Sequence, residues 1–348
     1  MHYHFKIFIA QFMKKDTFIL LIQFLSDYFS SETNKEKIEL FIDKAKNENP
    51  WFSDALIRNA MSAIQTQFFL PEVWQDFFKS QRPPIEHSKS VGLILAGNLP
   101  AVGMHDVLMT LASGNKCFVK LSSQDKAIMQ LYFQAIKEFD SDVSLQEVEK
   151  VSGLDCVIAT GSDFSANYFS QYFSTIPHII RKNRTSVAVL IGDESLDNFK
   201  ALSSDIFNYY GLGCRNVSSL YVPIDFDLIP LFDVLTLENW VLDHNKYSNN
   251  YQYQRTLLLL NQIQHFDLGN ILVLENPDLV SPVGVLYMHR YQNLSEVKDE
   301  LIKQESKIQC IVTKALELPG VVDFGQSQHP ALTDFADGIN TYDFLVGI

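Results

Sequence analysis

The sequence is poor in cysteine and in positive charge. Four cysteines (Cys117, Cys156, Cys214 and Cys310) stand among 348 residues, none in CxxC spacing. That excludes a disulfide framework and a zinc knuckle and points to a reduced compartment. Lys and Arg number 28 against 41 Asp and Glu, a net charge of −13. An acidic chain repels a phosphate backbone, so no nucleic-acid partner is expected. Long apolar runs are also missing. Phe5–Phe12 and Phe18–Phe24 are separated by Lys14, Lys15 and Asp16, and each is far short of the ~20 residues a spanning helix needs. No small-residue cleavage site follows, so neither a signal peptide nor a membrane span is expected, and the expected location is cytoplasmic. The first run reads as an amphipathic helix capping a domain, and translation can start at Met1 or at Met13. The nine histidines form no HxxxH or HExxH pattern, so no metal site is expected. His105, beside Asp106, reads as a helix-surface residue. Neither GxGxxG nor GxxxxGK[ST] occurs, and no internal repeat is seen.

What is present is ordinary globular material, 47% hydrophobic and 20% charged, with a length that suits two domains. Residues 16–80 read as helices: Phe18, Leu21, Ile22 and Leu25 recur at helical spacing, as do Ile38, Phe41, Ile42 and Ala45. Arg82-Pro83-Pro84 ends that region. Short apolar runs at 91–96, 116–120, 155–159 and 186–190 read as strands, with helices near 101–112, 124–138 and 163–173. A second series has strands at 219–222, 271–274, 283–287 and 308–312, with helices near 226–242 and 250–264. Such alternation predicts an α/β fold with parallel sheets. The expected divisions are a helical segment over 1–84, a nucleotide-binding α/β domain over 85–192, a second α/β domain over 193–328 and a tail over 329–348. A ligand site is expected between the two α/β lobes.

Three cysteines lie inside strand-like runs and read as core. Cys214 differs. It sits in Gly211-Leu-Gly-Cys-Arg-Asn-Val217, a glycine turn between a helix and a strand, where backbone N–H groups can face a substrate. Arg215 is adjacent, and a neighbouring cation favours thiolate. Cys214 is therefore a candidate nucleophile, with a small residue filling a tight turn as the alternative. Asn98 follows the first parallel strand, in a loop where open α/β sheets bind ligands. Its amide can donate to an oxyanion, or satisfy its own turn. Lys120, Ser122 and Ser123 end the second strand; the lysine can reach a nucleotide, and the serines can also cap a helix. Gly161 and Ser162 end the third strand and open a helix, which suits a pyrophosphate or nicotinamide face.

The order and spacing of these motifs resemble the aldehyde dehydrogenase superfamily: Asn98-Leu-Pro100, Gly114-Asn115 through Ser123, Thr160-Gly-Ser162, Gly211-Leu-Gly-Cys214 and Ser281-Pro-Val283. Gly211–Ser218, Gly161-Ser162-Asp163 and Phe324-Gly-Gln-Ser-Gln328 are similar, more narrowly, to the LuxC-type acyl-CoA reductases. The resemblance runs from about residue 80 to the end. It implies an aldehyde-dehydrogenase-like fold of two Rossmann-like α/β domains with a helical N-terminal segment. It implies Cys214 as nucleophile, and Asn98 with the Cys214 N–H as the oxyanion hole. Lys120 would touch the adenosine ribose, Gly161 and Ser162 would form the turn near the cofactor, and Asp278 would approach the nicotinamide ribose.

Two departures narrow the expectation. Hydrolytic members of the superfamily carry a glutamate that activates water, and Ile180 stands at that position here. Without a base, a thioester resolves by CoA or hydride rather than by water. Ser122 and Ser123 stand where NAD-preferring relatives often have a carboxylate, which favours NADPH while leaving NADH usable. The expected activity is NADPH-dependent reduction of an acyl-CoA, a fatty one by resemblance, through a thioacyl-enzyme on Cys214. Three alternatives remain: an acyl-transfer or acyl-binding subunit acylated on Cys214 and reliant on a partner, a reductase of another activated acyl group, and a non-catalytic scaffold. Homo-oligomers and an acyl-activating partner enzyme are the further partners considered. NADPH and CoA are polyanions, so Lys120, Arg181, Lys182, Arg184 and Arg215 are the cations expected near their site.

Overall fold

The structure is a computed structural model and describes residues 13–348; the Phe5–Phe12 stretch and its expected capping helix lie outside the described residues. The chain divides into two compact units, residues up to Lys182 together with Ala331–Ile348, and Asn183–Pro330.

The first unit opens with four helices, α1 (Lys15–Ser30), α2 (Lys35–Glu48), α3 (Asp54–Phe68) and α4 (Pro71–Ser80). α1 buries Phe18, Leu21, Ile22 and Leu25, the set that its period predicts. Ser53 caps α3 by accepting from Leu56 N, and Pro71 opens α4 where its missing N–H is harmless. The ring of Phe18 meets Trp74 edge-on at 4.7 Å, and the Trp74 indole donates to the Phe68 carbonyl. Then come β1 (Ser90–Ile94), α5 (Met104–Ala112), β2 (Lys116–Lys120), α6 (Lys126–Phe139), β3 (Leu145–Glu147), β4 (Cys156–Thr160), α7 (Asp163–Tyr172) and β5 (His178–Arg181). The sheet is parallel, in the order β3-β2-β1-β4-β5. The chain moves outward from β1 to β3 and returns to β4 on the other side of β1. Loops after β1 and β4 therefore flank a switch point, where open α/β sheets hold ligands. The residues expected as a tail are part of this unit. The C-terminal helix Thr341–Gly347 buries Tyr342 against Phe77 and Phe78, and the Leu345 carbonyl accepts from Asn115 Nδ2.

The second unit contains β6 (Thr185–Val189), α8 (Leu196–Phe207), β7 (Val217–Pro223), α9 (Ile229–Leu235), α10 (Asn245–Leu260), β8 (Phe266–Asp267), β9 (Leu272–Glu275), β10 (Val285–Tyr291), α11 (Leu294–Lys303), β11 (Ile308–Val312) and β12 (Val321–Val322). Its sheet runs β12-β11-β6-β7-β10-β9-β8, parallel except for β8. Val187, Val189, Val297, Leu301 and Ile311 form its core beside β6 and α11. β6 pairs with β7 and β11. It belongs to this sheet, so the contact division falls before β6 rather than at the expected 192/193. The helix expected over 226–242 is instead α9 and a separate 3-10 turn, Asn239–Asp243.

Candidate functional site

In the first unit the sequence candidates gather at one sheet edge. Ile94 is level with Lys120 and with Ala159, so β1, β2 and β4 end together. Leu95 N donates to the Lys120 carbonyl, and the chain then turns into an exposed bend at Asn98. Lys120 is exposed, Ser122 half-buried and Ser123 exposed. Ser122 does not cap a helix; its hydroxyl accepts from Gln124 N within its own turn. The β1 and β2 loops touch. A Cβ on Gly97 would lie 2.4 Å from Ser122 Oγ, so only glycine fits there. Past β4, Ser162 caps α7 by accepting from Ser165 N. A Cβ on Gly161 would stand 2.9 Å from Ser165 Cβ. The glycine lets the turn pack directly on α7 at Ser165 and Phe169, beside the helix's first-turn N–H groups, which favour an anion.

Asp125 is a residue that sequence reasoning missed. It is 2% exposed, and its Oδ2 accepts from Ala101 N at 2.7 Å across 24 residues. Burial pushes its carboxyl well above the usual range, against the pull of the Ala101 N–H, and Glu48 pushes it further. Ala101 takes φ +54°, a left-handed conformation rare outside glycine. Asn49 Nδ2 donates to the Gln124 carbonyl, and Ala127 N donates to Glu48. The end of α2 thus braces the same turn.

In the second unit Cys214 is exposed, whereas Cys117, Cys156 and Cys310 are buried. Burial raises the Cys117 thiol, and it pushes Cys156 up to about 12. The Cys214 loop is built by its neighbours. Asn216 Oδ1 accepts from Gly213 N, and Asn216 Nδ2 donates to the carbonyls of Asp205, Ile206 and Asn208. Tyr209, Tyr210 and Gly211 all take positive φ as the chain leaves α8. Ser186 Oγ donates to the Cys214 carbonyl and accepts from Cys310 N. Asp205 in turn accepts from Gly325 N, Ser327 N and Ser327 Oγ. This pins the Phe324–Gln328 motif to α8. Asn216 carried a signal in sequence, since it lies inside the glycine–cysteine motif; Asp205 carried none. Asp278 is exposed on the β9–β10 loop. The hydroxyls of Ser218 and Ser219, at the start of β7, donate to the Leu279 carbonyl and hold that loop.

Residues 55–222 match the family model described as acyl-CoA reductase (LuxC). Over that span the chain is similar to the LuxC acyl-CoA reductases. The span takes in Asn98, Lys120, Ser122, Ser123, Gly161, Ser162 and Cys214, and it ends before Asp278. The fold around it is that of aldehyde dehydrogenases. An NAD+ complex of aldehyde dehydrogenase from Bacillus cereus is similar at TM-score 0.61 and 14% identity, covering 87% of this chain and 73% of that one. Aldehyde dehydrogenase 21 from Physcomitrella patens, in complex with succinate, is similar at TM-score 0.66 and 11% identity, covering 94% and 82%. An NAD-dependent aldehyde dehydrogenase from Sinorhizobium meliloti gives TM-score 0.62 and 12% identity, covering 88% and 71%. No curated protein sequence matches the chain.

Several expectations change with the structure. Arg181 is not available to a polyanion: it is buried, paired with Asp106, and donates to Thr341 Oγ1. Arg184 donates to the Glu305 and Ile308 carbonyls. Arg215 sends its hydrogen bonds to Cys310 Sγ and the Ser327 carbonyl rather than to the Cys214 thiol. Adjacency in sequence does not fix where a long side chain turns. Lys120 and Lys182 are exposed. His105 is half-buried between Phe68 and Phe335, with Nε2 against the Leu332 carbonyl, not a surface residue. Ile180 packs against the cluster of Val151, Val157, Ala159 and Phe173.

Proposed function

We propose that the chain reduces an acyl-CoA of the fatty type to its aldehyde through a thioacyl-enzyme on Cys214, with NADPH preferred and NADH accepted. The observation that carries this is the exposed Cys214 thiol on a loop held by Asn216, while the other three cysteines are buried. The Cys214 thiolate attacks the acyl carbonyl, a C–S bond forms, and the tetrahedral centre expels CoA as thiolate. The Asn98 amide and the Cys214 N–H donate to the oxyanion; losing one such donor costs about 2.7–4 kcal/mol of barrier. Bound NADPH supplies a hydride, the two electrons that the thioester carbon requires. The resulting hemithioacetal alkoxide breaks its C–S bond, which returns the Cys214 thiolate and releases the aldehyde; the one proton consumed overall goes to the expelled CoA thiolate. Ile180 supports the choice against hydrolysis, because an aliphatic chain in an apolar cluster cannot serve as a base for water.

The residues at the first unit's edge fit a dinucleotide. The Gly161-Ser162 turn at the start of α7 would face the cofactor, Lys120 and the two serines would meet the adenosine ribose, and Asp278 would serve the nicotinamide ribose. With serines after Lys120, nothing repels a 2′-phosphate. The Bacillus cereus structure of the same fold is an NAD+ complex. Cys214→Ala should abolish acyl-CoA-dependent NADPH oxidation, and activity surviving the substitution would overturn the mechanism. A panel of acyl-CoAs of graded length, with each nucleotide and read by aldehyde formation, should favour long chains and NADPH.

A further inference from the structure

We propose that Asp125 is a positioning residue: its buried carboxyl ties the Asn98 loop to the turn after Lys120, so that one contact sets the oxyanion donor and the cofactor contacts together. This rests on the function proposed above. The loop from Leu95 to Ala101 and the turn from Lys120 to Asp125 lie against each other along their length. Leu95 N donates to the Lys120 carbonyl at the start. Gly97 rests on Ser122 in the middle, where a Cβ would come within 2.6 Å of Ser122 Cβ and 3.1 Å of Asp125 N. Ala101 N donates to Asp125 Oδ2 at the far end.

Two unfavourable features meet at that last bond. Ala101 holds a left-handed backbone without being glycine. Asp125 Oδ1 is buried with no hydrogen-bond partner. A fold keeps such features only where the surrounding structure enforces them, and they cluster at functional sites. A serine or asparagine could accept the same N–H with less desolvation. The carboxyl persists at the point where it fixes the loop that carries Asn98. Its raised protonation equilibrium follows from the same burial.

The test compares Asp125→Ala, Asp125→Asn and Gly97→Ala in the full chain, by amide hydrogen exchange and by steady-state kinetics. In Asp125→Ala, exchange should quicken in segments 95–104 and 118–126 together. kcat should fall about 100-fold, as for a displaced catalytic group, with a raised KM for NADPH. Asp125→Asn, which still accepts from Ala101 N, should restore slow exchange and most of kcat. Gly97→Ala pushes the same two segments apart from the other side and should give the same paired signature if Asp125→Ala does not fold. Unchanged exchange in the two segments, exchange that rises equally throughout the first unit, or an asparagine variant as impaired as the alanine one would each overturn the proposal. If the wild type reduces no acyl-CoA, the function proposed above falls, and the exchange comparison alone decides whether Asp125 is the clamp.

Discussion

At the scale of the residue, the four cysteines separate by environment. Three thiols are buried, and burial disfavours the thiolate that alkylation needs. The fourth sits on a loop whose shape comes from Asn216 rather than from the thiol itself. Iodoacetamide at neutral pH should therefore modify Cys214 first in the folded chain, with Cys117, Cys156 and Cys310 labelled only after denaturation. Peptide mass spectrometry reads the order, and equal labelling of a second cysteine in the native protein would contradict it. Asn216 and Asp125 share one habit: each is a polar side chain that bonds backbone groups of a neighbouring loop or helix end. Asn216 is marked only by its place in the glycine–cysteine motif, and Asp125 by nothing in residue type or spacing. The glycine turns at 161 and 211–213 did mark themselves, because close approach and positive φ leave a compositional trace.

At the scale of the element, Arg181 joins three pieces of secondary structure. It ends β5, pairs with Asp106 on α5, and donates to Thr341 on the C-terminal helix. Asp106 Oδ1 and Arg181 Nε are buried without partners, so neither charge can be left alone cheaply. Arg181→Met should lower stability by about 3–5 kcal/mol, as expected for an orphaned buried charge, and the double variant Asp106→Leu/Arg181→Met should recover a large part of it. Denaturant melts of wild type, Arg181→Met, Asp106→Leu and the double variant give the cycle; a single variant as stable as wild type would show that the pair does not carry this junction. Most strands were legible because each is a short apolar run in a sheet buried on both faces. β3 and β5 were not: Leu145–Glu147 is too short to form a run, and His178–Arg181 alternates half-buried with buried positions at the sheet margin. Sheet membership was not legible either. β6 continues the alternation of the first series without a break, and only its hydrogen bonds to β7 and β11 assign it to the second sheet.

At the scale of the whole molecule, composition gave the right class but not the connectivity. An acidic chain sized for two domains became two units with parallel sheets. Aromatics fill the interior of the first unit, where Phe18, Trp74, Phe77, Phe78 and Tyr342 pack together. No helix among the described residues is long and apolar enough to cross a membrane. The last residues were the least legible part, since seven residues of helix carry too little periodicity to announce a packed element. Removing residues 341–348 should uncover Phe77 and Phe78 and strip Asn115 Nδ2 of its Leu345 acceptor. Burying an aromatic of this kind is worth about 3–5 kcal/mol when truncated to alanine, so the shortened chain should melt at lower temperature and lose nucleotide binding with it. A truncated protein with the wild-type melting temperature would refute that.

The return of the C-terminal helix to the first unit has a consequence for the order of events during synthesis. Domains generally fold as units, N-terminal first, as the chain emerges. Here residues on both sides of Asn183–Pro330 belong to one unit, and the whole of Asn183–Pro330 is made in between. The first unit can therefore be shaped early but not closed. All of Asn183–Pro330 is synthesised while the face of the first unit beside α5 still waits for Tyr342 and Leu345, so the fold begun first is finished after the second.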